Sequence, residues 1–138
     1  MKTLYTAHAK AVGAREGHAE TDDKNVSVNF ALPGSGKLGT NPEQLFACGY
    51  GACFGGALAA AARQNKVDIG TPEVAVDIDL NQGGDGYSIG ATLNISITKL
   101  DQAAAEKVAR DAHQICPYSK ATRGNIKVTL KVNDRLLA

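Results

Sequence analysis

Apolar and polar residues alternate in five stretches of the chain: Tyr5 to Ala11; Val26, Val28, Phe30 and Leu32 against Asn25, Ser27 and Asn29; Val74, Val76, Ile78 and Leu80; Ile89 to Ile97; and Ile126, Val128, Leu130 and Val132. A period of two turns one face of a strand to the core and the other to water, so each stretch predicts a half-buried strand. Asn81 to Gly86 is a glycine-rich turn and predicts an antiparallel hairpin with a longer loop between the third and fourth strands. Helices fill the gaps. The first opens at Asn41-Pro42-Glu43-Gln44, where Asn41 can cap, Pro42 suits the first helical position and Gln44 can reach back in a box-like arrangement. The second starts at Asp101 as cap, brings Ala104, Val108, Ala112 and Ile115 onto one face, and stops at Pro117. The order β-β-α-β-β-α-β predicts an α+β fold of mostly antiparallel sheets packed on two helices, in a single domain over residues 1–138.

From Gln44 to Ala62 the first helix carries no charge and contains Gly51-x-x-x-Gly55, the small-residue spacing of packed membrane helices. Most of the segment is alanine and glycine, with Leu45, Phe46, Phe54 and Leu58 as its only large side chains that favour hydrocarbon strongly. A helix small on all sides is better suited to burial inside protein, closely approached by other backbone, and no membrane span is expected.

Composition narrows the partners. Fifteen lysines and arginines against fourteen aspartates and glutamates leave a formal charge of +1, without the basic excess that phosphate-backbone binding requires, so no nucleic acid partner is expected. The first residues lack the apolar run and cleavage site of a secretory signal, and a cytoplasmic location is the expectation. Gly34-Ser-Gly36-Lys-Leu-Gly39 matches a dinucleotide glycine pattern. Pro33 and Pro42 nevertheless bracket it as a separate loop, and Ala59 stands where the pattern needs an acid. Three cysteines, Cys48, Cys53 and Cys116, remain. None belongs to a paired metal motif, and no metal is expected. The five positions between Cys48 and Cys53 rotate a helix by about 140°, which turns the two thiols to different sides.

Two strings carry a resemblance: NPEQLFACGYGACF at 41–54 and CPYSKATRGNI at 116–126. Together with the opening LYTAHAKAVGAREGHA they resemble the organic hydroperoxide resistance proteins of the OsmC superfamily over essentially the whole chain. The resemblance implies an OsmC-like fold with the first helix central and buried. It also implies a thiol-dependent peroxidase in which Cys53 attacks the peroxide and Cys116 resolves the resulting sulfenic acid as a disulfide. By the same resemblance Arg15 and Glu43 complete the catalytic set, with the arginine stabilising the thiolate and the glutamate orienting its guanidinium. No bound cofactor is implied. The reductant is an external dithiol, a lipoyl group on a partner protein. Phe46, Phe54, Ile115 and Tyr118 flank the two thiols in sequence and make an apolar site for bulky organic or fatty-acid hydroperoxides plausible. Cys48, Lys120 and Glu16 depart from the commoner residues of the family, and none of the three departures removes a catalytic group.

Read without the resemblance, the residues leave two other classes open. One is a cysteine–histidine hydrolase using His8, His18 or His113, of which His113 lies three residues before Cys116 on the same helix. The other is a non-enzymatic or redox-sensing module that holds an apolar ligand, with cysteines as filler. A homodimer is expected on spacing. Glu43 and Cys53 are ten residues apart, about 15 Å along a straight helix. The helix must therefore break near Gly49 and Gly51, or the arginine span the gap, or a partner helix packed on Ala47, Gly51 and Gly55 supply one group.

Overall fold

The computed structural model describes residues 1–137. Two compact units divide the chain, residues 1–45 and 46–138.

The first unit is a three-stranded antiparallel sheet, β1 (Ala9–Val12), β2 (His18–Thr21) and β3 (Ser27–Asn29), in that order. Register runs from Ala9 opposite Thr21 to Val12 opposite His18, and from His18 opposite Asn29 to Glu20 opposite Ser27. A single turn of 3-10 helix, Ala14–Glu16, joins β1 to β2 and carries Arg15 at the tip of the hairpin. Gly13 permits it with a left-handed φ of +89°. Gly17 is required for space, because a Cβ there would lie 1.9 Å from the Val12 carbonyl oxygen. Beyond β3 the glycine-rich loop swings out and returns. Thr40 N–H donates to Asn29 (2.8 Å) and Ala31 N–H to Thr40 (3.0 Å), which sets residues 40–43 beside the hairpin. Gly39 makes that return possible, since a Cβ there would come within 2.7 Å of Ala31 N. The loop is thus a strand-edge excursion, as its bracketing prolines predict.

Helix α1 (Pro42–Asn65) starts as its sequence predicts, with the Asn41 side chain accepting from Gln44 N–H at 2.9 Å. The box-like arrangement differs in its partner: Gln44 Oε1 accepts from the Thr40 hydroxyl (2.7 Å) and makes no bond to the cap backbone. The helix runs unbroken through Gly49 and Gly51, which removes a break as an explanation for the Glu43–Cys53 spacing.

The second unit holds the core. Its sheet has the order β4 (Glu73–Gly83), β5 (Gly86–Ser96), β6 (Val128–Val132) and β7 (Arg135–Leu136), antiparallel except where β6 lies parallel to β5. A parallel neighbour needs a long crossover, supplied by α2 (Gln102–Ile115) and α3 (Pro117–Thr122). Tyr50, Phe54, Leu58 and Ala61 recur every three or four residues along α1 and pack on Leu93, Ile95, Val132, Val108 and Ala112. The segment is long and apolar enough to cross a membrane, but this stripe is used up in the core of the unit.

Four expectations are corrected. The β4–β5 hairpin closes tightly, with Gly83 opposite Gly86, because the strands run on to the glycines instead of ending at Leu80. The buried stripe of α2 is Ala105, Val108, Ala109 and Ala112, so Ala104 and Ile115 sit at its flanks. Pro117 ends α2 and also begins α3, where a proline at the first position suits the fixed φ and lacks only an N–H that would have no partner. The closest neighbour of the α1 glycines is a side chain and not backbone: a Cβ on Gly49 would lie 2.8 Å from Tyr118 Oη. Strands β2 and β7 and helix α3 extend the predicted order.

Gly17→Ala tests the hairpin directly. The added methyl opens β1 from β2, and amides of residues 9–21 exchange with solvent at least ~10-fold faster, about 1.4 kcal/mol of local opening, while those of β5 keep their rates. Unchanged exchange in β1 and β2 would contradict the packing described.

Candidate active site

Two pairs of predicted site residues meet, one in each unit. In the first, the Arg15 guanidinium grips Glu43 with both prongs, Nη1 to Oε2 at 2.9 Å and Nη2 to Oε1 at 2.6 Å. Twenty-eight residues separate them, and the return of the chain at Thr40 closes the distance. A planar fork on a carboxylate fixes direction as well as distance, which a lysine cannot do. The Arg15 hydrogen bonds hold the Glu43 carboxyl below the usual glutamate range, and the same pairing raises Arg15 above its ordinary value. Arg15 lies in water, so the pair is an orienting device more than a source of stability.

The second pair lies in the second unit. Cys53 projects from the fourth turn of α1, half-buried, and Cys116 sits fully buried at the junction of α2 and α3, with 3.6 Å between the sulfurs. Both are free thiols at van der Waals contact. The junction is built by the cysteine itself. Cys116 has extended backbone, φ −64° and ψ 122°, which ends α2, and its sulfur accepts from Ser119 N–H (3.5 Å) as the cap of α3. Burial pushes the Cys53 thiol up, a backbone hydrogen bond from Tyr118 pulls it down, and the neighbouring Cys116 pushes it up again. The one lowering contact is that backbone N–H; a nearby cation or a helix N-terminus is what most strongly favours a thiolate.

Around the thiols, Phe46 stacks obliquely on Tyr118 and edge-on against Tyr50, with centroids 5.7 and 6.0 Å apart. Phe46 and Ile115 are partly exposed and Tyr118 is exposed, whereas Phe54 is sealed in the core and offers no surface to a ligand. Cys48 points elsewhere, as its helical offset predicts: it is exposed and lines a shallow groove with Ala47, Gly51, Ala52, Val74 and Val76. His113 does not meet Cys116. Its Nδ1 shares a hydrogen bond with the Ser119 hydroxyl at 2.9 Å, and burial with the nearby Arg123 charge lowers its pKa. His18 bonds Asn29, Glu20 and Ser27 on the hairpin. His8 lines a hollow of the same hairpin with Lys10 and Glu20, and none of the three rings hydrogen-bonds a thiol, which leaves the cysteine–histidine hydrolase without its pair. Among the described residues no group of three or more histidine, cysteine or acidic side chains could hold a metal ion.

Sequence reasoning did not find the polar cluster under the thiols. Tyr50 Oη lies 2.9 Å from Ser119 Oγ and 3.0 Å from Thr122 Oγ1, all three residues buried. The available signal is a tyrosine in the uncharged, small-residue stretch 44–62 of α1 and two hydroxyls in the first and last turns of α3.

Comparison with known proteins gives the class of the chain. The family model for OsmC-like proteins matches residues 34–131. The organic hydroperoxide resistance protein of Xanthomonas axonopodis pv. citri is 47% identical over 135 residues, 94% of either chain. The crystal structure of OhrB, the organic hydroperoxide resistance protein of Bacillus subtilis, superposes with a TM-score of 0.90 at 41% identity, over 94% of this chain and 99% of that one. A putative organic hydroperoxide resistance protein from Vibrio cholerae, crystallised with captopril in one of its active sites, gives 0.93 at 38% identity over 99% and 97%. The chain belongs to the OsmC-like family, in its branch of organic hydroperoxide resistance proteins. Its fold is the family's, α+β with two sheets and three helices.

The Arg15–Glu43 pairing sets a pH window. A carboxyl whose folded pKa is depressed stabilises above its unfolded value, near 4.3, and loses that contribution as pH falls through the lower folded value. Carbon-detected NMR titration of Glu43 should give a midpoint below the ordinary range, moving up toward it in Arg15→Ala. Equal midpoints would show that the fork does not hold the carboxylate.

Proposed function

We propose that this protein is a cysteine peroxidase that reduces organic hydroperoxides to alcohols. The relatives support a hydroperoxide-detoxifying role. The observation that carries the finer reading is the 3.6 Å approach of two free thiols, one half-exposed and one buried, among partly exposed aromatic side chains.

In the proposed cycle the Cys53 thiolate attacks one peroxide oxygen. The O–O bond breaks, the alkoxide leaves and takes a proton to become the alcohol, and the sulfur is oxidised to sulfenic acid. Cys116 then attacks that sulfur, water leaves, and a Cys53–Cys116 disulfide forms. An external dithiol reduces it by two thiol–disulfide exchanges, and a dihydrolipoyl group on a partner protein is the reductant we propose. Arg15 is assigned the charge that burial denies Cys53, with Glu43 fixing the direction of its fork. Phe46, Ile115 and Tyr118 supply apolar contact for the alkyl part of the substrate, favouring bulky organic hydroperoxides over hydrogen peroxide, and Phe54 backs them from the core. A second copy of the chain in the cytoplasm completes the proposal. The small-residue side of α1, with Cys48 and Ala52 exposed and Ala47 and Gly51 half-buried, lines a groove beside Val74 and Val76 and allows close helix approach.

Substitution separates the thiols. Cys53→Ser should abolish consumption of cumene hydroperoxide. Cys116→Ser should react once and hold a sulfenic acid on Cys53 that a dimedone reagent labels, and Cys48→Ser should change little. Retained turnover in Cys53→Ser would refute the assignment. Arg15→Lys should slow thiolate oxidation more than tenfold by stopped flow, since about 1.4 kcal/mol gives that factor and a charged directional donor is worth at least as much. Rates within twofold of the parent would refute an oriented role for the guanidinium. Light scattering at micromolar concentration should return about twice the 14.3 kDa of one chain, and an active species of a single chain's mass would remove the dimer.

A further inference from the structure

Tyr50 and Cys53 lie three residues apart on α1, so they project from neighbouring positions on one side of the helix. Cys116 and Ser119 are also three apart, as cap and third residue of α3. The two elements face each other through both members of each pair: sulfur to sulfur at 3.6 Å, and hydroxyl to hydroxyl at 2.9 Å. They form a ladder of two rungs, one reactive and one not. The second rung is itself braced, because Tyr50 Oη also meets Thr122 Oγ1 (3.0 Å) and Ser119 Oγ also meets His113 Nδ1 (2.9 Å), tying the end of α2 and both ends of α3 to α1. Arg123, just past α3, returns to the His113 carbonyl at 2.7 Å.

Polar atoms in a core are costly unless satisfied, and a phenylalanine would fill the Tyr50 site without that cost. What the hydroxyls add is direction and register, which matter most at the step with the tightest geometry. A disulfide needs its sulfurs about 2.05 Å apart, so the contact must close by roughly 1.5 Å along one line. A misplacement of about 1 Å at a reacting centre can cost two orders of magnitude in rate. We propose that the Tyr50–Ser119 hydrogen bond, braced by Thr122 and His113, positions Cys116 for attack on oxidised Cys53, making Tyr50 and Ser119 positioning residues for disulfide closure rather than for peroxide reduction. This rests on the reading of Cys53 and Cys116 as attacking and resolving thiols.

The network permits a test in which Tyr50→Phe strands no buried polar atom, while Ser119→Ala leaves the half-buried His113 Nδ1 without its hydroxyl partner. In Tyr50→Phe, Ser119 keeps His113 and Thr122 keeps the Ser119 carbonyl; in Ser119→Ala, Tyr50 keeps Thr122. The full-length chain is mixed with cumene hydroperoxide in a stopped-flow instrument, and sulfenic acid formation and disulfide closure are followed separately. In each variant closure slows at least tenfold, dimedone-labelled Cys53 accumulates, and the first oxidation stays within twofold of the parent. The double variant loses less than the product of the two single losses, because both changes break the shared Tyr50–Ser119 bond. Closure at the parental rate in both singles, or losses that multiply in the double, would overturn the proposal. A parent that forms no sulfenic acid would overturn the peroxidase reading instead. The inference then stands or falls on equilibrium with glutathione, where the effective concentration of the Cys53–Cys116 pair drops at least tenfold in each single variant if the rung positions the thiols and is unchanged if it does not.

Discussion

The 3.6 Å contact between Cys53 and Cys116 depends on a junction at which one helix must stop and another begin. Cys116 occupies the only extended residue between α2 and α3, capping the second with its own sulfur, and Pro117 enforces the break while starting the new helix. That corner turns the thiol inward toward α1. The residues around it are small where α1 passes: Gly49 leaves room for the Tyr118 ring, and alanines at 105, 109 and 112 let α2 pack close. A bulkier helix would hold the two sulfurs apart. The alanine and glycine content that resembles a membrane segment is better explained by this crowding than by lipid.

The other pair is organised by different physics. Arg15 is carried on a hairpin tip that exists because Gly13 adopts a left-handed conformation and Gly17 has no side chain, and it is met by a glutamate in the first turn of a helix. Solvent weakens such a pair as a source of stability, yet a forked contact keeps the guanidinium pointed one way. Stability and orientation are thus divided, with core packing supplying the first around the thiols and exposed hydrogen bonds the second around the charge.

Much of this is legible in the chain. Alternation locates β3, β4, β5 and β6, Asn41 and Asp101 cap as their sequence predicts, and the helical offset of Cys48 from Cys53 is enough to part them. The family strings led to Arg15, Glu43, Cys53 and Cys116, whose two contacts are non-local and have no periodic signature. What escaped has physical reasons. Strand β2, His-Ala-Glu-Thr, is too short and too polar to alternate visibly. Helix α3 has no separate signal because a proline that ends one helix serves equally to begin the next. The Tyr50–Ser119–His113 cluster joins residues up to 69 positions apart, and hydrogen bonds between hydroxyls leave no pattern in a sequence.

The central claim is that Cys53 and Cys116 form one redox unit from which Cys48 is excluded. Treating the reduced protein with one equivalent of an organic hydroperoxide, blocking remaining thiols and mapping the peptides by mass spectrometry tests it most directly. The account predicts a Cys53–Cys116 crosslink with Cys48 alkylated. A crosslink through Cys48, or three alkylated cysteines after the peroxide has been consumed, would contradict it.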